Sequence, residues 1–397
     1  MRPPGTRGRE ALALAACVAL AVAFFLPMAV RCDASGGAVR CARTLDRNGQ
    51  TDDGRLFAML WDASRRALVD YGEWPSWNPY HCGGRPLYGD PQAPFPGPMF
   101  LLTFFWLPAL VGLKLWVLAH LIFGALGARL LARDRGANAP EQLLAAALTC
   151  ACGFLAEHLG GGHLSFTPFL FLPWILLAQR RALRDARWAV LGAGLLALTV
   201  IEGGPVPLPL MLVVLGLDGL LRLADPRDRR GLLLSLPLLA VLFFTLSAVR
   251  LLPVLEVLRG DPRLMPLDDQ LTVAEVVRAL LAGPQPRAVP GHPYVWPEYN
   301  DYLGPLPVLL LAAALLLAAF ERKQGAHPGA AAETRDRTST PSSSSASSGW
   351  RSGTSPPSRS SAFSTCCRCT PRCGSLPASS IRPQWSGRCS PSPPCSR

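Results

Sequence analysis

Long apolar stretches broken by clusters of arginine constrain this chain more than any other feature. Crossing a hydrocarbon layer of about 30 Å takes about 20 apolar residues in helix. Candidate stretches run near 11–31, 113–132, 140–157, 164–179, 188–203, 205–222, 231–253 and 302–320. A chain with that pattern hides its backbone polar groups from lipid in helices, which predicts an all-α polytopic membrane protein with about eight transmembrane helices. Half of the 397 residues are hydrophobic, 17% are charged, and mean hydropathy is +0.25, which excludes disorder over most of the length. Arg2, Arg7 and Arg9 precede the first stretch as in a signal peptide, but the run continues through Phe24, Phe25 and Leu26. A spanning anchor is expected there.

Basic residues set the expected orientation. They cluster at the N-terminus, at Arg129/Arg133/Arg135, at Arg180/Arg181/Arg184/Arg187, at Arg222/Arg227/Arg229/Arg230 and at Arg322/Lys323, which are alternate connections. The positive-inside rule then puts the N-terminus in the cytoplasm, in a multi-pass membrane protein. The connections Glu157–His163 and Glu202–Pro205 carry no Lys or Arg and fall outside. Two long segments, about 32–112 and 254–301, also become extracytoplasmic. Water-requiring chemistry belongs in these loops or at their rim.

Residues 1–323 thus form the expected membrane domain, and 324–397 a tail of different character. From Thr334 onward the chain holds 20 Ser, 9 Arg, 9 Pro and 6 Cys, with Asp336 as its one acid. Eight of the formal +12 charges therefore belong to this tail, so the overall basicity does not argue for a nucleic-acid partner. Such a composition buries too little apolar surface to fold and is expected to be disordered. Its Ser, Arg, Pro and Cys content is what an out-of-frame reading of a GC-rich gene yields, which predicts a frameshifted and truncated product. A genuine disordered cytoplasmic tail is the alternative. Cys366, Cys367, Cys369 and Cys373 lack a downstream Cys/His pair at zinc spacing.

In the first outer loop, Asp52 and Asp53 stand where an N-cap belongs, before Arg55–Tyr71, whose Leu56, Met59, Leu60, Ala63, Ala67 and Leu68 fall at helical spacing. The following Trp74–Gln92 segment packs aromatics, prolines and glycines into a rigid, non-regular loop. Trp77, Asn78, Tyr80, Asp90 and Gln92 suit a carbohydrate or a lipid headgroup; aromatic rings at that level equally serve as interface anchors.

The run Gly72-Glu73-Trp74-Pro75-Ser76-Trp77-Asn78-Pro79-Tyr80, followed by Gly83-Gly84-Arg85-Pro86 and Gly89-Asp90-Pro91-Gln92, resembles the first-loop signature of YfhO-type bacterial membrane proteins. These are similar to the glycosyltransferases of the GT-C superfamily. Further echoes are His158-Leu159-Gly160 through His163-Leu164-Ser165-Phe166 with Trp174, Gly203-Gly204-Pro205, Leu251–Glu256 and Glu298–Gly304, covering roughly 10–320. The resemblance implies an enzyme taking sugar from a polyprenyl-phosphate donor and passing it to a cell-envelope glycan or lipid acceptor at the outer face. It also implies an early acidic residue as general base, matched here by Asp53 or Asp52, with Asp53 favoured. Some enzymes of this superfamily use a divalent cation, toward which Asp90 is placed as an oxygen ligand. Family members are longer and often carry a C-terminal soluble domain, so an inactive truncated fragment is an alternative reading.

Other polar residues carry readings of their own. His158 and His163 flank Gly160-Gly161-Gly162, whose backbone freedom admits a close ligand such as a phosphate; simple solvation is the rival reading. Arg250 is placed to attract the donor phosphate, with Glu256 a turn and a half farther on, or else to snorkel to the interface. Glu202 is expected in a bundle interior or cavity, and His120 as a hydrogen-bonded packing residue. Asp268 and Asp269 are read as the cap of an amphipathic interfacial helix over Gln270–Leu281. Cys32 and Cys41 could form a bridge, leaving Cys82 unpaired. No Walker loop, nucleophile elbow or HExxH occurs. A transporter or flippase of lipid-linked intermediates is the rival class. The few intramembrane charges lie close to the outer surface, which disfavours an ion-coupled path.

Overall fold

Runs of Leu, Ala and Val with acids only at their ends favour helix, and helices dominate the computed structural model, which describes residues 6–30, 53–81, 83–104, 107–260, 270–283, 291–292, 299 and 301–325. The chain divides into two units, Met1–His327 and Pro328–Arg397, and every described residue lies in the first. The expectations for Asp52, Cys32, Cys41, Cys82, Asp268, Asp269 and the tail fall outside the described residues.

The helices are α1 (Thr6–Val30), α2 (Asp53–Arg65), α3 (Pro98–Phe104), α4 (Ala109–Asp134), α5 (Ala139–Cys150), α6 (Gly153–Gly160), α7 (Leu172–Ala182), α8 (Arg187–Ile201), α9 (Pro207–Leu223), α10 (Pro226–Gly260), α11 (Val273–Leu281) and α12 (Pro305–Gly325). Four described helical segments are long and apolar enough to cross a membrane: Glu10–Pro27, Ala109–Asp134, Ala139–Gly160 and Pro226–Gly260. Arg187–Ile201 and Pro305–Leu317 are apolar but shorter. The chain is a mostly helical protein with the features of a membrane protein. Leu, Val and Phe residues on α9, α10 and α12, among them Leu221, Leu233, Phe244, Val249, Leu311 and Leu316, stand exposed in rows that lipid, not water, would cover.

Several elements differ from the periodicity. The stretch 164–179 begins as a 3₁₀ helix, Leu164–Phe171, because Pro168 lacks the N–H a continuous α-helix needs there. α10 runs 35 residues, about 52 Å at 1.5 Å per residue, so it outreaches the hydrocarbon layer. The helix expected over Arg55–Tyr71 starts at Asp53 and ends in a π-helical turn, Arg66–Asp70. α11 is capped by Thr272, whose hydroxyl accepts from the Glu275 N–H while the Glu275 carboxylate accepts from the Thr272 N–H, so the cap lies closer to the helix than Asp268 and Asp269. The Thr272 hydroxyl and the Thr272 N–H both donate to the Glu275 carboxylate and, with His292 alongside, hold it down to about 2.

Small residues set the closest packing. α8 places Ala189, Gly192, Ala193 and Ala197 inward, and Leu239 of α10 seats against Gly192. At one end of the bundle the arginine clusters of successive connections meet. Arg133 pairs with Glu10 at 2.8 Å, Arg180 and Arg181 both reach Asp134 at 3.4 and 3.2 Å, and Arg222 pairs with Asp218 at 2.6 Å and Asp228 at 3.2 Å. The opposite ends of α4, α8 and α10 carry the polar groups described next.

Candidate functional site

Asp53 opens α2, where the helix N-terminus favours a carboxylate, and its side chain is 43% exposed. His163 Nε2 lies 3.2 Å from Asp53 Oδ2. On the far side of the same ring, His163 Nδ1 is 3.0 Å from His158 Nδ1. The His158 ring is stacked on Phe166 at 3.9 Å and 17°, with Phe154 edge-on at 4.5 Å. Both imidazoles are buried. A row of three groups thus runs from an exposed carboxylate into an aromatic box.

The glycine turn makes this row. Gly162 has φ +83°, and a Cβ there would stand 2.5 Å from the Gly54 nitrogen, so the turn lies backbone to backbone on the start of α2. At Gly162 the space a side chain would take is filled by α2 itself, whereas nothing lies within 4 Å of a Cβ at Gly160.

Beyond α2, Trp77 and Asn78 (β1) pair antiparallel with Arg85 and Pro86 (β2), Trp77 opposite Pro86 and Asn78 opposite Arg85. This short ladder was read as non-regular loop; two-residue strands carry too little periodicity to be seen in sequence. Tyr71, Trp74, Trp77 and Tyr80 are all exposed, the Tyr71 and Tyr80 hydroxyls lie 3.0 Å apart, and the Arg66 guanidinium sits 5.6 Å over the Tyr80 ring. Asn78 is buried instead. Its Oδ1 accepts from the Tyr80 N–H, and its Nδ2 has no hydrogen-bond partner in the structure.

Asp90 is also buried. Its Oδ2 pairs with Arg85 at 2.6 Å and its Oδ1 accepts from the Gln92 N–H at 2.9 Å. Both oxygens serve the loop's own structure, so Asp90 does not fit the expected cation-ligand role. Among the described residues no three His, Cys, Asp or Glu side chains cluster to hold a metal ion.

Arg250 neither snorkels nor faces an open donor site. It is fully buried under this loop, and its Nη2 donates to the carbonyls of Asp90 at 2.6 Å and Ala93 at 2.7 Å. Tyr88 covers the guanidinium at 5.2 Å and donates its hydroxyl to the Val249 carbonyl. Arg250 therefore clamps the loop to α10, a role that carbonyls 157 and 160 residues away cannot announce in sequence. Glu256, farther along α10, is exposed and takes no part in the clamp.

Glu202 is the second anchor. Buried in the turn after α8, its Oε1 accepts from the Met99 N–H at 2.9 Å and its Oε2 from the Trp116 indole at 2.7 Å. Burial pushes its carboxyl up to about 7, outweighing the opposing pull of the Trp116, Met99 and Phe100 N–H groups. Gly203, at φ +79°, lets this turn meet the Gln92 carbonyl, and Gln92 itself is half-buried. His120 is fully buried with Nδ1 on the Trp116 carbonyl at 2.9 Å, the packing residue it was expected to be.

Of the residues singled out in sequence, Asp53, His158 and His163 come together, Trp77 and Tyr80 form an exposed ledge, and Asn78, Asp90 and Arg250 belong to the loop's internal scaffold. Sequence reading passed over Arg85 and Trp116, the partners of Asp90 and Glu202. Arg85 lay inside the Gly83–Pro86 motif, which was its available signal. No protein-family model matches the chain, and neither do characterised proteins or solved structures.

Proposed function

We propose that this chain is a membrane glycosyltransferase-like protein of YfhO type and GT-C-like architecture, which transfers sugar from a polyprenyl-phosphate donor to a cell-envelope acceptor. In this reading about eight membrane passes put the arginine-rich end in the cytoplasm and the Asp53 end at the outer face of a bacterial inner membrane. The observation that carries the reading is the half-exposed Asp53 carboxylate held by a buried histidine. A carboxylate with one oxygen engaged by His163 keeps the other for an acceptor hydroxyl. As the acceptor oxygen bonds to the anomeric carbon, the bond from that carbon to the phosphate oxygen breaks with its electron pair, and the hydroxyl proton passes to Asp53. Attack opposite the leaving phosphate inverts the anomeric centre. The exposed Tyr71, Trp74, Trp77 and Tyr80 rings supply flat apolar faces of the kind sugar rings stack on.

Transfer of radiolabelled sugar from polyprenyl-phosphate donors in nanodiscs tests this. Asp53→Asn keeps shape while removing the base, so the rate is expected to fall by about 10²–10⁴-fold at unchanged expression and melting temperature. Undiminished transfer by that variant removes Asp53 as the base.

A further inference from the structure

We infer that His158 and His163 form a tautomer-locked dyad that positions Asp53 for its acceptor, an assignment that rests on the transferase reading for its chemistry but not for its geometry. Two Nδ1 atoms 3.0 Å apart hold one proton between them, since two N–H groups would clash and two lone pairs would repel. The other end of His163 settles which ring carries it. Nε2 faces the Asp53 carboxylate at 3.2 Å, where a lone pair would meet a negative charge, so Nε2 bears a proton. A doubly protonated His163 would place a full cation in a ring only 5% exposed. Neutral His163 therefore has a bare Nδ1, and His158 donates its Nδ1–H to it.

The surroundings hold this arrangement in place. The stack of His158 on Phe166 and the edge contact with Phe154 oppose a ring flip that would put Cδ2 in the place of Nδ1. The Gly162 turn keeps His163 pressed against the first turn of α2. His163 accordingly acts as a positioning residue: its Nε2 edge stands 3.2 Å from Oδ2 and leaves Oδ1 of Asp53 to take the acceptor proton.

Nitrogen NMR of the full chain labelled with ¹⁵N-histidine in nanodiscs reads the dyad directly. The expected result is a proton on Nδ1 of His158 and on Nε2 of His163. A proton on Nδ1 of His163, alone or together with Nε2, overturns the dyad. His158→Phe keeps the stack on Phe166 and removes the donor, so His163 is expected to become a tautomer mixture; an unchanged His163 spectrum counts against the lock. In the transfer assay His163→Ala should lower kcat on the order of 100-fold with KM retained, and His163→Gln, which keeps an N–H donor, should recover most of it. Equal losses in both variants at wild-type melting temperature would overturn the positioning role. Absence of transfer in the wild type alongside the expected tautomers would defeat the transferase reading and leave the dyad standing.

Discussion

The two ends of the helical bundle solve the same problem of placing charge in opposite ways. At the arginine-rich end, Arg133, Arg180, Arg181 and Arg222 meet Glu10, Asp134, Asp218 and Asp228 in solvent-accessible pairs made by long side chains. At the other end Asn78, Asp90, His158, His163, Glu202 and Arg250 are buried, and most of their partners are backbone groups or rings rather than opposite charges. Exposed pairs are screened and replaceable. Buried polar groups are costly to orphan, so they fix the backbone around them. One end carries replaceable surface pairs, while the other builds the scaffold on which Asp53 stands.

Breaking the buried end should cost most. Arg250→Ala removes both donors to the Asp90 and Ala93 carbonyls, and is expected to destabilise by about 2–4 kcal/mol and loosen the 85–95 loop. Thermal unfolding and limited proteolysis in nanodiscs would report it, and a wild-type melting temperature would refute the clamp. Next comes Gly162→Val, which places a branched side chain at φ +83° against Gly54. A loss of about 2–3 kcal/mol is expected, together with a displaced histidine signal in the NMR spectrum. Were both to stay unchanged, the turn would not be setting the Asp53–His163 distance.

Glu202 sharpens the contrast through pH. Its folded value of about 7 lies above its ordinary 4.5, so the folded state binds the proton more tightly than the unfolded state. Its stabilising contribution is complete below about 4.5 and is lost as pH rises through 7. Melting temperature should therefore fall across that window, and Glu202→Gln should flatten the dependence. A wild-type profile with the same slope as the variant would contradict this origin. The smallest effect belongs to the other end: Asp134→Asn, which weakens the pairs with Arg180 and Arg181, should change stability by less than about 1 kcal/mol. A larger loss would show that the arginine-rich end is no mere surface.

The apolar helices could be read well because lipid burial demands long uninterrupted runs, and α1, α4 and α10 answer the stretches at 11–31, 113–132 and 231–253. The site was readable only in part. Asp53 and the two histidines stood out as polar groups next to glycines, yet their roughly hundred-residue separation hid the 3.2 Å contact. Trp77 and Tyr80 proved exposed, as a binding or anchoring aromatic must be, whereas Asn78 and Asp90 from the same motif turned inward.

By itself, the sequence determined that this is a mostly helical protein with helices long and apolar enough to cross a membrane, because hydrophobic run length is a local property. Only the tertiary structure decided what each polar group does. Arg250 is a clamp, Glu202 an anchor for the start of α3, and Gly162 a backbone contact. Each role depends on a partner brought near by helix packing, and no local spacing encodes that distance.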